Sequence, residues 1–106
     1  MKVSVAMCTY NGEKYIEEQL NSILNQTKKI DEIIICDDGS KDNTLKICDK
    51  ILKNSNVTYS IKINKKNLGF ARNFYQAIRL CSGDIIFFCD QDDIWKENKG
   101  TDYILS

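Results

Sequence analysis

Hydrophobic positions along this chain switch repeatedly between the spacing of a strand and the spacing of a helix. Residues 2–8 (KVSVAMC) are β-branched-rich and apolar, and they end at the polar cluster Thr9-Tyr10-Asn11-Gly12. That pattern predicts a strand followed by a turn. Ile16, Leu20, Ile23 and Leu24 then fall on one face of a helix, with charges between them. Asp31–Cys36 (DEIIIC) predicts a second strand, closed by Asp37-Asp38-Gly39-Ser40. A second helix follows, with Ser40 or Asn43 as its expected cap and Leu45, Cys48 and Leu52 facing inward.

The third strand has a different signature. Val57, Tyr59, Ile61 and Ile63 alternate with Thr58, Ser60 and Lys62, and strict alternation means one wet face, so this strand is expected at a sheet edge. Asn67-Leu68-Gly69 makes a turn into a third helix carrying Phe70, Phe74, Ala77, Ile78 and Cys81 on one face, and Ser82-Gly83 stops it. Asp84–Cys89 (DIIFFC) is apolar on both faces and is expected to be central.

Strand and helix alternate in units of roughly thirty residues, the length of β-α-β crossovers. Right-handed crossovers build a parallel sheet with helices on both faces. The expectation is therefore an α/β fold: an open, doubly wound, mostly parallel sheet in three α/β/α layers, with residues 1–106 as one domain. The chain is too short for an eight-stranded barrel. It has no proline, low-complexity stretch or linker that would divide it.

Composition narrows the function classes. Fifteen lysines and arginines balance fifteen aspartates and glutamates, so no net field draws the protein to nucleic acid, and no nucleic-acid partner is expected. The longest apolar stretch, Ile85–Cys89, is too short to span a bilayer. With no signal-peptide succession at the start, a cytoplasmic location, including the inner face of the membrane, is the expectation. The five cysteines are odd in number, form no C-x-x-C pair and have no histidine partner. They read as reduced, buried, small apolar residues rather than as zinc ligands, disulfides or nucleophiles.

In an open parallel sheet, ligands bind beyond the carboxyl ends of the strands, where the strand order reverses. The loops after strands one, two and four carry Thr9-Tyr10-Asn11, Asp37-Asp38-Gly39-Ser40 and Asp90-Gln91-Asp92-Asp93. Each of the first two is also an ordinary turn or cap. An acidic cluster directly after a buried Ile-Ile-Phe-Phe run brings no folding benefit. Five carboxylates meeting at one crevice repel one another unless they stay solvated or a cation joins them. A hard divalent ion completed by substrate phosphates meets that need, which points to a metal–diphosphate site.

Four segments then resemble one family: VSVAMCTYNG, IIICDDGSKDNT, NLGFARN and GDIIFFCDQDDIW, in that order and spacing. Together they are similar to the N-terminal half of a family 2 glycosyltransferase with the GT-A fold, over residues 2 to about 97. The resemblance implies that Tyr10 and the backbone around Cys8 and Thr9 hold a nucleobase, uracil or thymine, with Asn11 in the same turn. It implies that Asp38 accepts a hydrogen bond from the base and that Asp37 supports the loop. Asp90-Gln91-Asp92 matches the family's D-x-D element, in which Asp92 ligates Mn²⁺ or Mg²⁺ and Asp90 faces the ribose or the metal. Arg72 is expected as a nucleotide or phosphate contact.

The implied reaction is sugar transfer from a UDP- or dTDP-linked donor to a hydroxyl, with inversion, in bacterial cell-surface polysaccharide synthesis. In this family the general base comes from a later segment, and Asp102 is in no context that resembles it. The chain is accordingly expected to be the donor- and metal-binding part of a longer enzyme, inactive alone, with a glycan or lipid-linked acceptor held by the remainder. Apolar surface left at the edge of strand four is expected to promote self-association. A non-catalytic nucleotide-binding module is the alternative. A nucleotidyltransferase is disfavoured, since no glycine-rich phosphate loop with a basic residue follows strand one.

Overall fold

A computed structural model of the protein describes residues 1–26, 29–90 and 104–105. Strand β1 (Val3–Thr9) is followed by helix α1 (Ile16–Leu24), β2 (Glu32–Asp37), α2 (Thr44–Lys53), β3 (Thr58–Ile63), α3 (Phe70–Leu80), β4 (Ile85–Asp90) and the two-residue β5 (Ile104–Leu105). The strands form one sheet in the order β3-β2-β1-β4-β5. The first four are mutually parallel, and β5 pairs antiparallel with residues 85–86 of β4. β3 is at the edge and β1, β2 and β4 are interior, as the hydrophobic patterning requires.

Because side chains alternate across a strand, the two faces of the sheet build two cores. Val5, Met7, Ile33, Ile35, Phe87 and Cys89 pack with α1 and α2 on one face. Ala6, Cys8, Ile34, Cys36 and Ile86 pack against α3 on the other. Three layers result. The α3 face is floored by small residues, Ala6, Cys8 and Cys36, opposite the helix's own Ala77, so one helix can approach closely and cover it.

The helix faces differ from the sequence pattern at two places. In α2, Thr44, Cys48 and Leu52 are the buried residues, while Leu45 is only half-buried. The reason is the start of the helix. Neither Ser40 nor the capping residue Asn43 supplies a side-chain cap; Asp42 does, accepting hydrogen bonds from the backbone N–H (3.0 Å) and the hydroxyl of Thr44. Thr44 in turn accepts from the N–H of Gly12 at 2.8 Å, which turns its side chain inward in place of Leu45.

In α3 the inward position at the first turn belongs to Asn73, 2% exposed, and Phe70 is 60% exposed. Phe70 lies at the first turn of the helix, its ring tilted against Phe74 and edge-on to Phe88 of β4 (ring centroids 6.2 and 6.0 Å).

The cysteines are free thiols. Four are buried and Cys81 is half-buried. Burial pushes Cys48 and Cys81 up to about 12 and also raises Cys36. None of these three thiols presents a thiolate near neutral pH.

Candidate nucleotide-binding site

Chain order decides where a site can form. β1, β2 and β3 step outward in one direction, then the chain crosses back to place β4 on the other side of β1. The connection that leaves β1 runs to the α1 face, while α3, which precedes β4, covers the other face, and such a reversal of strand order leaves a crevice at the carboxyl ends of the strands. The strand register puts Thr9 beside Asp37 and Cys8 beside Asp90, so β1, β2 and β4, which lead into the three segments, end side by side.

Two consecutive aspartates divide the work. Asp37 is fully buried. One of its oxygens accepts from the hydroxyls of Thr9 and Ser40, both at 2.6 Å, and the other from the N–H groups of Gly39 and Ser40 at 3.0 and 2.7 Å. Four donors occupy the carboxylate, so Asp37 shapes the loop and is unavailable as a ligand. Asn11 clasps the same loop from the β1 side. Its N–H donates to the Ser40 hydroxyl and its side-chain oxygen accepts from the N–H of Lys41, both at 2.8 Å. It does so from a left-handed backbone (φ 49°) that asparagine tolerates better than most residues.

Asp38 points the other way. Its Oδ1 accepts from the N–H of Leu68 (2.7 Å) and from Asn64 Nδ2 (3.0 Å), and its Oδ2 accepts from the N–H of Gly69 (3.0 Å). Gly69 offers that N–H from φ 81°, a backbone glycine reaches without strain. Burial opposes ionisation of Asp38, but these donors outweigh it and hold its pKa below the usual carboxylate value. It is therefore an anion at neutral pH and acts only as an acceptor.

Around Asp38 opens a cleft of about 320 Å³, lined also by Cys8, Thr9, Tyr10, Asn67, Phe70 and Asn73. Tyr10 and Phe70 expose 49% and 60% of their surface there. A planar ring between aromatic walls, presenting an N–H to a fixed carboxylate, suits this cleft.

Cys8, Thr9, Tyr10 and Asp38 thus line one cleft, and Asp37 and Asn11 build its loop. The support comes from residues the sequence did not mark. Asn64 donates to Asp38 and to Asn73 Oδ1 (2.9 Å), Asn73 donates to the carbonyl of Cys36 (2.9 Å), and Gln76 donates to Asn64 Oδ1 (2.8 Å). A polar residue at an inward helical phase was a usable signal for Asn73; Asn64 follows the alternating strand with no signal at all.

Two expectations change. Arg72 does not line this cleft. It stands on the helix stripe of Tyr75, Gln76 and Arg79, at a second hollow with Lys62, because α3 turns position 72 away from the inward phase of Asn73 and Ala77. The convergence of five bare carboxylates is also reduced. Asp37 and Asp38 are satisfied by hydrogen-bond donors and call for no cation. Gln91, Asp92 and Asp93 lie outside the described residues, as does the side chain of Asp90. Among the described residues no cluster of three or more metal-ligating side chains occurs.

A doubly wound sheet with a carboxylate-bearing cleft at the carboxyl ends of β1 and β2 is the architecture of the class to which the comparisons also point. The chain belongs to glycosyl transferase family 2, whose model matches residues 4–101. It is 44% identical over 97 residues to the dTDP-rhamnosyl transferase RfbG of Shigella flexneri, covering 88% of this chain and 34% of that one. It superposes on Staphylococcus aureus TarS 1–349 in complex with UDP-GlcNAc with a TM-score of 0.83 at 31% identity, over 95% of this chain and 29% of that one. The mannosyltransferase PcManGT of Pyrobaculum calidifontis, in complex with GDP-Man and Mn²⁺, shares the fold with a TM-score of 0.80 at 24% identity, over 89% of this chain and 28% of that one. The chain spans about a third of the length of these relatives. Among the described residues, no helix is long and apolar enough to cross a membrane.

Proposed function

We propose that this chain is the donor-binding part of a glycosyltransferase that takes its sugar from a UDP- or dTDP-linked donor in bacterial cell-surface polysaccharide synthesis. The observation that carries the reading is the Asp38 cleft. A carboxylate fixed as an anion by three donors, between exposed aromatic rings, accepts a hydrogen bond from the ring N–H of uracil or thymine. Tyr10 packs against the base, and the backbone of Cys8 and Thr9 borders it. Asn11 and Asp37 keep the loop in shape.

From the base, the ribose and diphosphate extend toward the end of β4, where Asp90, Gln91 and Asp92 follow. Asp90 and Asp92 supply the hard carboxylate oxygens that suit Mn²⁺ or Mg²⁺. When bound, such an ion supplies Lewis-acid stabilisation of the departing nucleoside diphosphate. An acceptor hydroxyl attacks from the opposite face of the sugar, giving inversion, with a base from outside residues 1–106. A glycan or lipid-linked acceptor is held by the remaining two-thirds of a relative-sized protein. Self-association belongs to the same reading, though the edge next to β4 carries the short β5, and it is checked by sedimentation.

Calorimetric titration with UDP, with and without Mn²⁺, tests this on the wild-type chain, Asp38→Ala and Asp92→Ala. The expected result is binding strengthened by the ion, that strengthening lost in Asp92→Ala, and binding lost altogether in Asp38→Ala. Absence of UDP binding under every condition overturns the reading.

A further inference from the structure

The charges balance over the whole chain but not over its parts. Between Asp49 and Asp84 there is no carboxylate, while seven of the fifteen lysines and arginines fall there. Five of them gather along the border of β3 and α3, in two adjoining hollows that share Lys62 and Gln76. The larger hollow, about 540 Å³, is lined by Lys62, Arg72, Tyr75, Gln76, Arg79 and Leu80. Arg72, Tyr75 or Gln76, and Arg79 recur at helical spacing, so both guanidinium groups project from one stripe of α3, away from its buried face.

None of the five cations is in an ion pair among the described residues. The two such pairs present, Lys2–Glu32 and Lys29–Asp31, involve none of them. Cations gathered without counter-charges repel one another, and the fold does not offset that repulsion locally. One wall is also fixed in place: Gln76 Nε2 is held by Asn64 and Asn73 oxygens at 2.8 and 3.2 Å. Beside the cations, Tyr75 and Leu80 expose 68% and 45% of their surface.

We infer that this hollow is a phosphate-binding site, separate from the Asp38 cleft, taking a phosphate or diphosphate group. The guanidinium forks of Arg72 and Arg79 suit paired phosphate oxygens, and Lys62 adds a point charge from β3. Tyr75 and Leu80 give the apolar neighbour of that phosphate a surface to lie on. A lipid headgroup and a soluble phosphate compound offer the same chemistry. The site does not depend on the sugar-transfer reading.

The test uses two phosphate probes on the chain, pyrophosphate in solution and phosphatidylglycerol vesicles, with phosphatidylcholine vesicles as the control. Proton–nitrogen NMR follows pyrophosphate and co-sedimentation follows the vesicles. Arg72→Gln/Arg79→Gln and the charge-reversing Arg72→Glu/Arg79→Glu are the variants, their fold checked by circular dichroism. Pyrophosphate is expected to shift the amides of residue 62 and residues 72–80, with affinity falling at least tenfold in the neutral double variant and with added salt. Binding of phosphatidylglycerol vesicles alone, lost in the same variants, assigns the phosphate to a lipid. Binding of neither probe, binding that both variants retain, or shifts confined to the Cys8–Asp38 cleft overturns the site. Uridine, which carries no phosphate, reports the Asp38 cleft independently. If UDP, with or without Mn²⁺, leaves the Asp38 cleft unshifted while pyrophosphate binds at α3, the sugar-transfer reading falls and the phosphate site stands.

Discussion

The two ends of the parallel sheet use the same chemistry to opposite effect. At the amino-terminal end, Glu32 accepts from the Ser4 hydroxyl (2.6 Å) and from the N–H and hydroxyl of Ser82 (2.8 and 3.0 Å). The Ser4 oxygen accepts from the N–H of Gly83 at 2.9 Å. Asp31 and Asp84 cap the N–H groups of Val3 and Lys2 at 2.8 and 2.9 Å. Everything closes inward, to the point that a Cβ on Gly83 would lie 2.5 Å from the Ser4 hydroxyl. At the carboxyl-terminal end, Asp37 closes a loop in the same way, but Asp38 takes its donors from the residues before α3 and leaves a cleft in front. The difference is topological. At the amino end the incoming loops meet the strands directly, whereas at the carboxyl end the chain leaves β1 toward the α1 face and enters α3 on the other. Carboxylates gripping backbone N–H groups are a stabilising device in both places, and only divergence of the chain turns one of them into a site.

The largest effect that would break this contrast is expected from Gly83→Val. The added atoms meet Ser4 and the backbone of Lys2, and overpacking there should cost about 3 kcal/mol or more, read by urea denaturation. Uridine affinity of the folded fraction should stay unchanged, since the cleft is at the far end. Next is Asp37→Ala, which strands one buried and three part-buried donors and should cost about 2–3 kcal/mol. Unlike the glycine variant it should also abolish uridine binding, because the loop that presents Asp38 loses its frame.

A smaller change is expected for the pH dependence of stability. Donors hold the pKa values of Asp38 and Glu32 below their ordinary values despite burial, with the Ser4 and Ser82 groups acting on Glu32. A lowered native pKa contributes stability that is present above the unfolded value, about 4, and lost as pH falls through the native one. The melting temperature should therefore drop below about pH 4, and less steeply in Glu32→Gln, which starts lower at neutral pH. Smallest is Tyr10→Ala. With a half-exposed ring, stability should move by no more than about 0.5 kcal/mol, while uridine affinity falls several-fold through lost stacking. A loss of stability there would show that the ring supports the loop rather than the ligand.

The fold was largely legible because period is a local property. The alternation of residues 57–63 marked an edge strand, and the DIIFFC run marked an interior one, each from its own side chains. The site was legible in part. Asp38 and its turn were marked by position after a strand. The separate duties of Asp37 and Asp38 came only with the family resemblance and not from their pattern, since adjacent residues of a strand end point to opposite sides and the packed loops set which side is open. Phe70 has helical spacing yet stays largely exposed, because the inward phase at the first turn of α3 goes to Asn73. Arg72 is one residue from Asn73, but a single step of about 100° on a helix carries it to another hollow.

The sequence by itself determined the order of strands and helices, the doubly wound class, the buried cysteines and the family, because periodicity and short motifs need no distant partner. The tertiary structure alone decided which donors hold Asp37 and Asp38, that Asn64, Asn73 and Gln76 stand behind the cleft, and that the basic residues of β3 and α3 share a hollow. Those are contacts between residues far apart in the chain, fixed only when the crossover from β3 to β4 brings α3 down on the sheet.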